Sequence, residues 1–153
     1  MTGIIFTVLC ALILDRITKL ICIKYLAGEA SIPIIKGVLQ LTYVRNTGAA
    51  FSMFSNSTRA LAVFTAVVCV VLVFFMASQK KKNPGKRIYI MSLAMILGGA
   101  LGNLYDRFAY GYVVDFVDFI LINFAVFNVA DIFITVGGAI FCCCLLFDKE
   151  IKL

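Results

Sequence analysis

Four long apolar runs constrain this chain more than any other feature of its sequence. They cover roughly residues 4–25, 60–78, 88–105 and 131–147, and a helix needs about 20 apolar residues to cross a bilayer. Because 63% of the residues are hydrophobic and only 14% are charged, an ordinary soluble domain is excluded. We therefore expect an all-α membrane protein, a single integral membrane domain over residues 1–153 with four transmembrane helices.

The first run differs from the other three because it contains Asp15, Arg16 and Lys19. Charges inside a membrane helix are costly and are usually paired or functional. The run lacks both the basic start and the small-residue cleavage site of a secretory signal peptide. We interpret it as a retained helix.

Basic residues between the second and third runs indicate the orientation in the membrane. Lysine and arginine crowd into Lys80–Arg87, and cytoplasmic loops carry such an excess. With an even number of spans, both termini are then cytoplasmic. The segments of roughly residues 26–59 and 108–130 lie on the outer side of the membrane. The net charge of +6 is thereby explained by topology and contact with membrane lipid, and we expect no nucleic-acid partner.

The first external segment is predicted to contain a small β-like element. In residues 38–45, Leu39, Leu41 and Tyr43 alternate with other side chains, which is typical of a strand. Asn46-Thr47-Gly48 predicts a turn after it, because Asn and Gly tolerate positive φ.

The rest of the external chain is also more apolar than a solvated coil. An apolar patch at residues 49–54 is expected to reach the membrane interface, and Ser57 or Thr58 is expected to cap the second helix. The second external loop, about residues 112–127, is rich in Val, Ile and Phe. This composition favours extended or interfacial structure.

The chain contains no histidine, which excludes Ser-His-Asp and Cys-His catalysis and histidine-ligated metal sites. Its six cysteines show no CxxC spacing. The strongest candidates for chemistry are Asp115 and Asp131, because a carboxylate beside an apolar run is costly unless paired, solvated or functional. We expect acid/base chemistry on a water molecule, with no metal and no cofactor.

The unusual polar residues converge at one depth, near the outer face. A helix rises about 1.5 Å per residue, so Asp15 and Lys19 lie in the outer half of the first helix. Polar residues also end the third helix and begin the fourth. The members of this predicted site are Asp15, Lys19, Asn46, Asn103, Asp106, Arg107, Asp115, Asn128 and Asp131.

Several of these residues also have a simpler structural explanation. Asp15 and Lys19, four apart on one helix, could form an ion pair that only neutralises itself in lipid. Asp106 and Arg107 could be ordinary interfacial residues at a helix end. Asp118 could be the working acid in place of Asp115.

The third helix contains a Gly-xxx-Gly spacing at Gly98, Gly99 and Gly102. In membrane helices this spacing predicts close packing. Close packing would bring the polar end of the third helix against the fourth.

Five blocks of the sequence together resemble the bacterial lipoprotein signal peptidases, also known as signal peptidase II. In chain order they are Asp15-Arg16-Ile17-Thr18-Lys19, Arg45-Asn46-Thr47-Gly48-Ala49-Ala50-Phe51, Gly98-Gly99-Ala100-Leu101-Gly102-Asn103-Leu104-Tyr105-Asp106-Arg107, Gly111-Tyr112-Val113-Val114-Asp115-Phe116 and Phe127-Asn128-Val129-Ala130-Asp131. Each block is weak alone, but together they cover the whole chain in the right order.

The resemblance implies a four-span aspartic endopeptidase of the bacterial inner or cytoplasmic membrane. Such enzymes cut the signal peptide from prolipoproteins just before a cysteine that carries diacylglycerol. Asp115 and Asp131 match the catalytic pair. Positions that line or support the site are matched by Asn46, Gly102, Asn103, Arg107, Asn128, Ala130, Asp15 and Lys19. We expect a monomer whose partners are diacylglyceryl-prolipoprotein substrates and membrane lipid.

Two alternatives and one assignment stay open at this point. A small transporter or channel could use Asp15 or Asp131 for proton coupling, but it would need acids near mid-membrane and access from both sides. A non-enzymatic assembly protein gives no reason to pair Asp115 with Asp131. Which aspartate starts as the base is undecided, because the proton belongs to the pair.

Overall fold

A computed structural model of the chain describes residues 2–48 and 57–152. The long helices in these residues are α1 (Thr2–Leu26), α2 (Thr58–Lys82), α3 (Arg87–Tyr110) and α4 (Val129–Phe147). The strands there are β1 (Ile32–Ile35), β2 (Leu39–Asn46) and β3 (Val113–Asp118), and a short 3-10 helix covers Ile120–Ile122. Each predicted apolar run therefore forms a helix.

Length and composition make α2, α3 and α4 candidate membrane spans among the described residues. Helix α1 is as long as α2, at 25 residues each. However, every 18-residue stretch of α1 contains Asp15, Arg16 and Lys19. Apolar character alone thus supports three of the four predicted spans, and the assignment of α1 depends on how its charges are neutralised.

The helices extend beyond the apolar runs that predicted them. Helix α2 continues through Lys80–Lys82, so the basic segment predicted as a loop is partly helical, and residues 83–86 alone connect α2 to α3. Helix α3 continues to Tyr110. There Gly111 adopts a φ of 76°, and its N–H donates to the carbonyl of Arg107, the usual glycine end of a helix.

The start of α2 differs from the prediction. Ser57 is the N-cap residue, but its side chain makes no capping hydrogen bond. The hydroxyl of Thr58 instead donates to the carbonyl of Thr47 at 2.7 Å, which ties α2 to the turn after β2. The predicted apolar patch at residues 49–54 lies outside the described residues.

The segments between the helices form a three-stranded antiparallel sheet in the order β1-β2-β3, within the described ranges. Strand β2 matches the predicted strand to within one residue. The second loop, predicted as extended or interfacial, contributes β3, so the description as all-α with one β-like segment was too simple. The pairing of Val44 with Asp115 and of Asn46 with Val113 brings Asn46 beside Asp115.

Helix α3 is the centre of the bundle. In an apolar stretch of 18 residues in each helix, 61% of the residues are buried in α3, 17% in α2 and 11% in α4. The exposed surface of α2 and α4 is available to lipid. A methyl group on Gly98 would lie 2.7 Å from the Cβ of Ala11 in α1, and one on Gly99 would collide with the Ala130 carbonyl in α4. The predicted packing role of these glycines is confirmed.

Candidate active site

A cavity of about 430 Å³, here named the cleft, lies where α3 and α4 meet the sheet. Its polar side chains, apart from a threonine, are Asn46, Asn103, Arg107, Asp115 and Asp131. Aromatic and aliphatic side chains of the 124–127 segment and of α4 form most of the remaining wall. Charges in such poorly hydrated surroundings interact more strongly than they do in water.

Asp115 projects from β3 into the cleft and is only 3% exposed. Its carboxylate oxygens accept hydrogen bonds from Asn46 Nδ2 at 2.8 Å and from Asn128 Nδ2 at 2.6 Å. Burial is the main reason why the pKa of Asp115 is raised to about 6; the Asn46 and Asn128 amides oppose the shift, and the Asp131 carboxylate adds to it. Asp115 therefore keeps a proton to a higher pH than an exposed aspartate does.

Asp131 lies in the first turn of α4, where it forms a capping box with Asn128. The Asn128 side chain accepts from the Asp131 N–H at 3.0 Å, and Asp131 Oδ2 accepts from the Asn128 N–H at 3.1 Å. Asp131 Oδ1 accepts from Asn103 Nδ2 at 2.7 Å. The carboxylate is thus fixed at the positive end of the helix dipole, half-buried at the edge of the cleft.

Two asparagine amides connect the carboxylates. Asn103 Oδ1 accepts from Lys19 Nζ and from Asn128 Nδ2, both at 3.0 Å. Because the amide oxygen of Asn103 accepts from these two donors, the NH₂ group of the same amide is left for Asp131. The hydrogen-bond partners therefore determine the orientation of the Asn103 amide. Because Asn128 also donates to Asp115, one hydrogen-bonded network reaches both carboxylates.

Arg107 lies beside these carboxylates without an ion pair in the described part of the chain. Its guanidinium donates to two backbone carbonyls, of Gly48 at 3.2 Å and of Asn103 at 3.5 Å. Its Nε is buried and has no hydrogen-bond partner among the described residues. The cleft therefore contains a cation with donor capacity for a carbonyl oxygen.

A buried ionic cluster lies behind the cleft. Lys19 is 0% exposed, and its Nζ lies 2.9 Å from Asp15 Oδ2 and 2.9 Å from Asp106 Oδ2. Asp15 Oδ1 also accepts from the N–H of Ala130 at 2.9 Å. The predicted ion pair of Asp15 and Lys19 is present, and it contacts the candidate site as well. A methyl group on Gly102 would lie 2.7 Å from Asp15 Oδ2, so this glycine leaves room for the cluster.

The structure brings the predicted site residues together in two layers. Those that line the cleft are Asn46, Asn103, Arg107, Asp115 and Asp131. Those behind it are Asp15, Lys19, Gly102, Asn128 and Ala130. Asp118 is placed elsewhere: it accepts from Gln40 Nε2 at 2.7 Å and does not line the cleft.

Sequence reasoning left Asp106 undecided, although it is only 1% exposed and bonded to Lys19. Two spacings in the sequence indicate more: the first places Asp106 on the helix face of the site, and the second indicates the contact of Asn128 with Asp131. Gly99, Asn103 and Asp106 are spaced by four and three residues and therefore share one helix face. Asn128 precedes Asp131 by three residues, which is the spacing of a capping box.

Residues 2–48 and 57–152 contain no group of three or more His, Cys, Asp or Glu side chains that could hold a metal ion. A larger cavity, of about 720 Å³, lies at the opposite end of the bundle beside Lys80, Lys86 and Arg87. No carboxylate is among the described residues that line it. Asp115 and Asp131 thus line the cleft, whereas Asp15 and Asp106 line a smaller cavity of about 270 Å³ together with Arg16.

The sequence is similar to a known family. A family model described as signal peptidase (SPase) II matches residues 7–147. A lipoprotein signal peptidase of Caldanaerobacter subterraneus subsp. tengcongensis is 49% identical over 139 residues, covering 91% of this chain and 92% of that protein. A lipoprotein signal peptidase of Brevibacillus brevis is 44% identical over 127 residues, covering 83% of each protein.

The fold is similar to two solved structures, each described as a bacterial membrane enzyme. The first has a TM-score of 0.88 at 29% identity and covers 100% of this chain and 93% of the other chain. The second has a TM-score of 0.83 at 28% identity and covers 97% of this chain and 96% of the other. Both similarities extend over nearly the full length of the chains compared.

Proposed function

The chain belongs to the signal peptidase II family, and we propose that it removes signal peptides from prolipoproteins with Asp115 and Asp131 as an aspartic catalytic pair. The observation that carries the assignment is that both carboxylates face one cleft, from β3 and from the first turn of α4. In a chain without histidine, two such carboxylates offer the most direct way to activate water. Membership of a peptidase family also argues against the transporter and assembly-protein alternatives.

The proposed reactive state of the pair holds one proton, on Asp115. Burial raises the pKa of Asp115 to about 6, whereas Asp131 is less buried and lies at a helix N-terminus that favours negative charge. Two neighbouring carboxylates do not easily ionise together. Asp131 is therefore the proposed base, although the titration is a property of the pair.

In the proposed reaction, Asp131 accepts a proton from a water molecule as the water oxygen attacks the scissile carbonyl carbon. Asp115 donates its proton to the carbonyl oxygen, which gives a neutral tetrahedral diol. Asp115 then takes a proton back from one hydroxyl while Asp131 protonates the amide nitrogen, and the C–N bond breaks. The products are a carboxylic acid and an amine, and the pair returns to its starting state.

Arg107 is proposed to bind the substrate backbone. Its Nε, which has no hydrogen-bond partner within residues 2–48 and 57–152, and its position beside the two carboxylates support this role. A guanidinium that donates to a peptide carbonyl would hold the scissile bond against Asp115 and Asp131. The aromatic and aliphatic wall of the cleft would exclude other water molecules.

We also propose that α1 is the fourth span. Ion pairs of Lys19 with Asp15 and Asp106 neutralise most of the buried charge of α1 and α3. This neutralisation lowers the free-energy cost of placing α1 in lipid. The side chains of α1 that face away from the bundle include exposed Phe6, Ile13 and Ile21. The substrate's acyl chains would then stay in the bilayer while its cleavage site enters the cleft.

The proposed topology has a direct test. Reporters placed after Lys82 and after Leu153 are expected to be cytoplasmic, and one placed at Glu29, between α1 and β1, is expected to be external. The asymmetry of Lys and Arg is the physical reason. An external signal from the reporter after Lys82 would contradict the orientation and place the cleft at the cytoplasmic face.

The proposed function is tested by incubating the purified protein with two lipobox peptides that differ only in the diacylglyceryl group on cysteine. We expect cleavage of the lipidated peptide, with kcat/KM for the unlipidated one lower by about 10²-fold or more, because the lipid anchor holds the substrate at the depth of the cleft. Cleavage of neither peptide would refute the function, and equal cleavage would refute the proposed specificity.

Excess chelator is expected to leave the rate of cleavage unchanged. Loss of activity that a divalent ion restores would refute the metal-free pair.

A further inference from the structure

We propose that Lys19, Asp15 and Asp106 form a clamp that positions the backbone segments carrying both catalytic aspartates. This inference rests on the proposed function of Asp115 and Asp131. The three residues come from α1 and α3, and none of them is among the residues that line the cleft. They are therefore positioning residues, named together the Lys19 clamp.

The first arm of the clamp reaches α4. Lys19 Nζ lies 2.9 Å from Asp15 Oδ2, and the other oxygen of Asp15 accepts from the N–H of Ala130 at 2.9 Å. Ala130 is the residue directly before Asp131. The first turn of α4 is thus held against α1 by a charged acceptor at the point where the catalytic residue begins.

The second arm reaches β3 in the same way. Lys19 Nζ lies 2.9 Å from Asp106 Oδ2, and this oxygen also accepts from the N–H of Val114 at 3.3 Å. Val114 is the residue directly before Asp115 and is 0% exposed. Each catalytic aspartate is therefore preceded by a residue whose N–H bonds to a carboxylate of the clamp.

The third contact of Lys19 goes to the network between the aspartates. Its ammonium donates to Asn103 Oδ1 at 3.0 Å, and Asn103 donates to Asp131 Oδ1 at 2.7 Å. The three hydrogens of the ammonium group thus have three acceptors, which come from α1 and α3. One buried cation fixes α4, β3 and the connecting amide at once.

Stability alone does not explain this arrangement. Buried ion pairs lose much of their Coulomb energy to desolvation, and apolar replacements are often as stable. Arg16 lies 3.4 Å from Asp106 Oδ1 and brings the cluster to two positive and two negative charges. A neutral cluster could be replaced by hydrocarbon without loss of stability, but hydrocarbon could not hold the N–H groups of Ala130 and Val114.

The charge of Lys19 also acts on the chemistry through space. Charged groups act on Asp115 from the elements around the cleft: Asp131 from α4, Lys19 from α1 and Arg107 from α3. Asp106 of α3 contacts Val114, the residue directly before Asp115. Among them, Lys19 lowers the pKa of Asp115. Removing Lys19 should therefore move both limbs of the pH profile to higher pH, whereas removing the negative charge of Asp106 should move them to lower pH.

The test compares Lys19→Met and Asp106→Asn in the full-length protein with lipidated peptide. Because misplacement by about 1 Å can cost about 10²-fold, we expect kcat to fall by about 10²-fold in Lys19→Met and about tenfold in Asp106→Asn, with KM little changed. The pH limbs should shift in opposite directions. Shifts of the pH limbs in the same direction in both variants, or a loss of activity caused by a higher KM and not by a lower kcat, would overturn the clamp.

The double variant Lys19→Met/Asp106→Asn separates positioning from charge neutralisation, and it also serves if Lys19→Met fails to fold. Its buried charges balance again, so thermal stability should recover, while kcat should stay at least about tenfold low because the cation that joins Asp15, Asp106 and Asn103 is lost. Recovery of kcat together with stability would overturn the clamp. Lys24→Met, on the exposed end of the same helix, is the matched control and should match the wild type. An inactive wild type would refute the proposed function itself, not the clamp.

Discussion

Asp115→Asn and Asp131→Asn are each expected to abolish cleavage of the lipidated peptide, with kcat/KM lower by about 10³-fold or more. An amide has nearly the size of a carboxyl group but cannot accept and return the proton that each step requires. The capping box can persist in Asp131→Asn, because the amide oxygen can still accept from the Asn128 N–H. Initial rates are measured in detergent or in proteoliposomes, and thermal unfolding verifies that both variants remain folded.

The matched control is Asp118→Asn, which removes a carboxylate from the same strand. Asp118 bonds to Gln40 and does not line the cleft. The cleavage rate of the Asp118→Asn variant should therefore stay within about threefold of the wild-type rate. Full activity of Asp115→Asn together with an inactive Asp118→Asn would show that the wrong carboxylate had been assigned.

Gly99→Ala is expected to lower the activity by about 10²-fold and to destabilise the folded protein by about 1–3 kcal/mol. The added methyl group would lie 2.8 Å from Cγ1 of Ile134 and would overlap the carbonyl oxygen of Ala130. A backbone carbonyl cannot swing aside, so α4 has to move away from α3 directly before Asp131. Activity assays and thermal unfolding measure the two effects.

Gly138→Ala is the control for this change. In the part of the chain that the structure describes, no atom beyond the neighbouring helix backbone lies within 4 Å of a methyl group at Gly138, and alanine is favoured over glycine in a helix by about 1 kcal/mol. Its stability should equal or exceed that of the wild type, with normal activity. If Gly99→Ala behaved like Gly138→Ala, the close approach of α3 and α4 would not position Asp131.

Part of the candidate site was predictable because its signals are local. The lack of histidine, the polar ends of the apolar runs and the glycines near Gly99 can be read without knowing which segments touch. The alternating residues before Asn46 predicted β2 in the same way. Apolar length predicted four helices, but it could not settle whether α1 spans the membrane, since that depends on the partners of Lys19.

The sequence by itself determined the helical framework, the family resemblance and the two aspartates as the candidates for chemistry. The tertiary structure decided what the individual polar side chains do, because that depends on partners far apart in the chain. Pairing of β2 with β3 places Asn46 against Asp115, and the crossing of α1 and α3 joins Lys19 to Asp106. Burial by these contacts also raises the pKa of Asp115 to about 6. Such shifts arise from packing between segments, for which a linear pattern has no local signal.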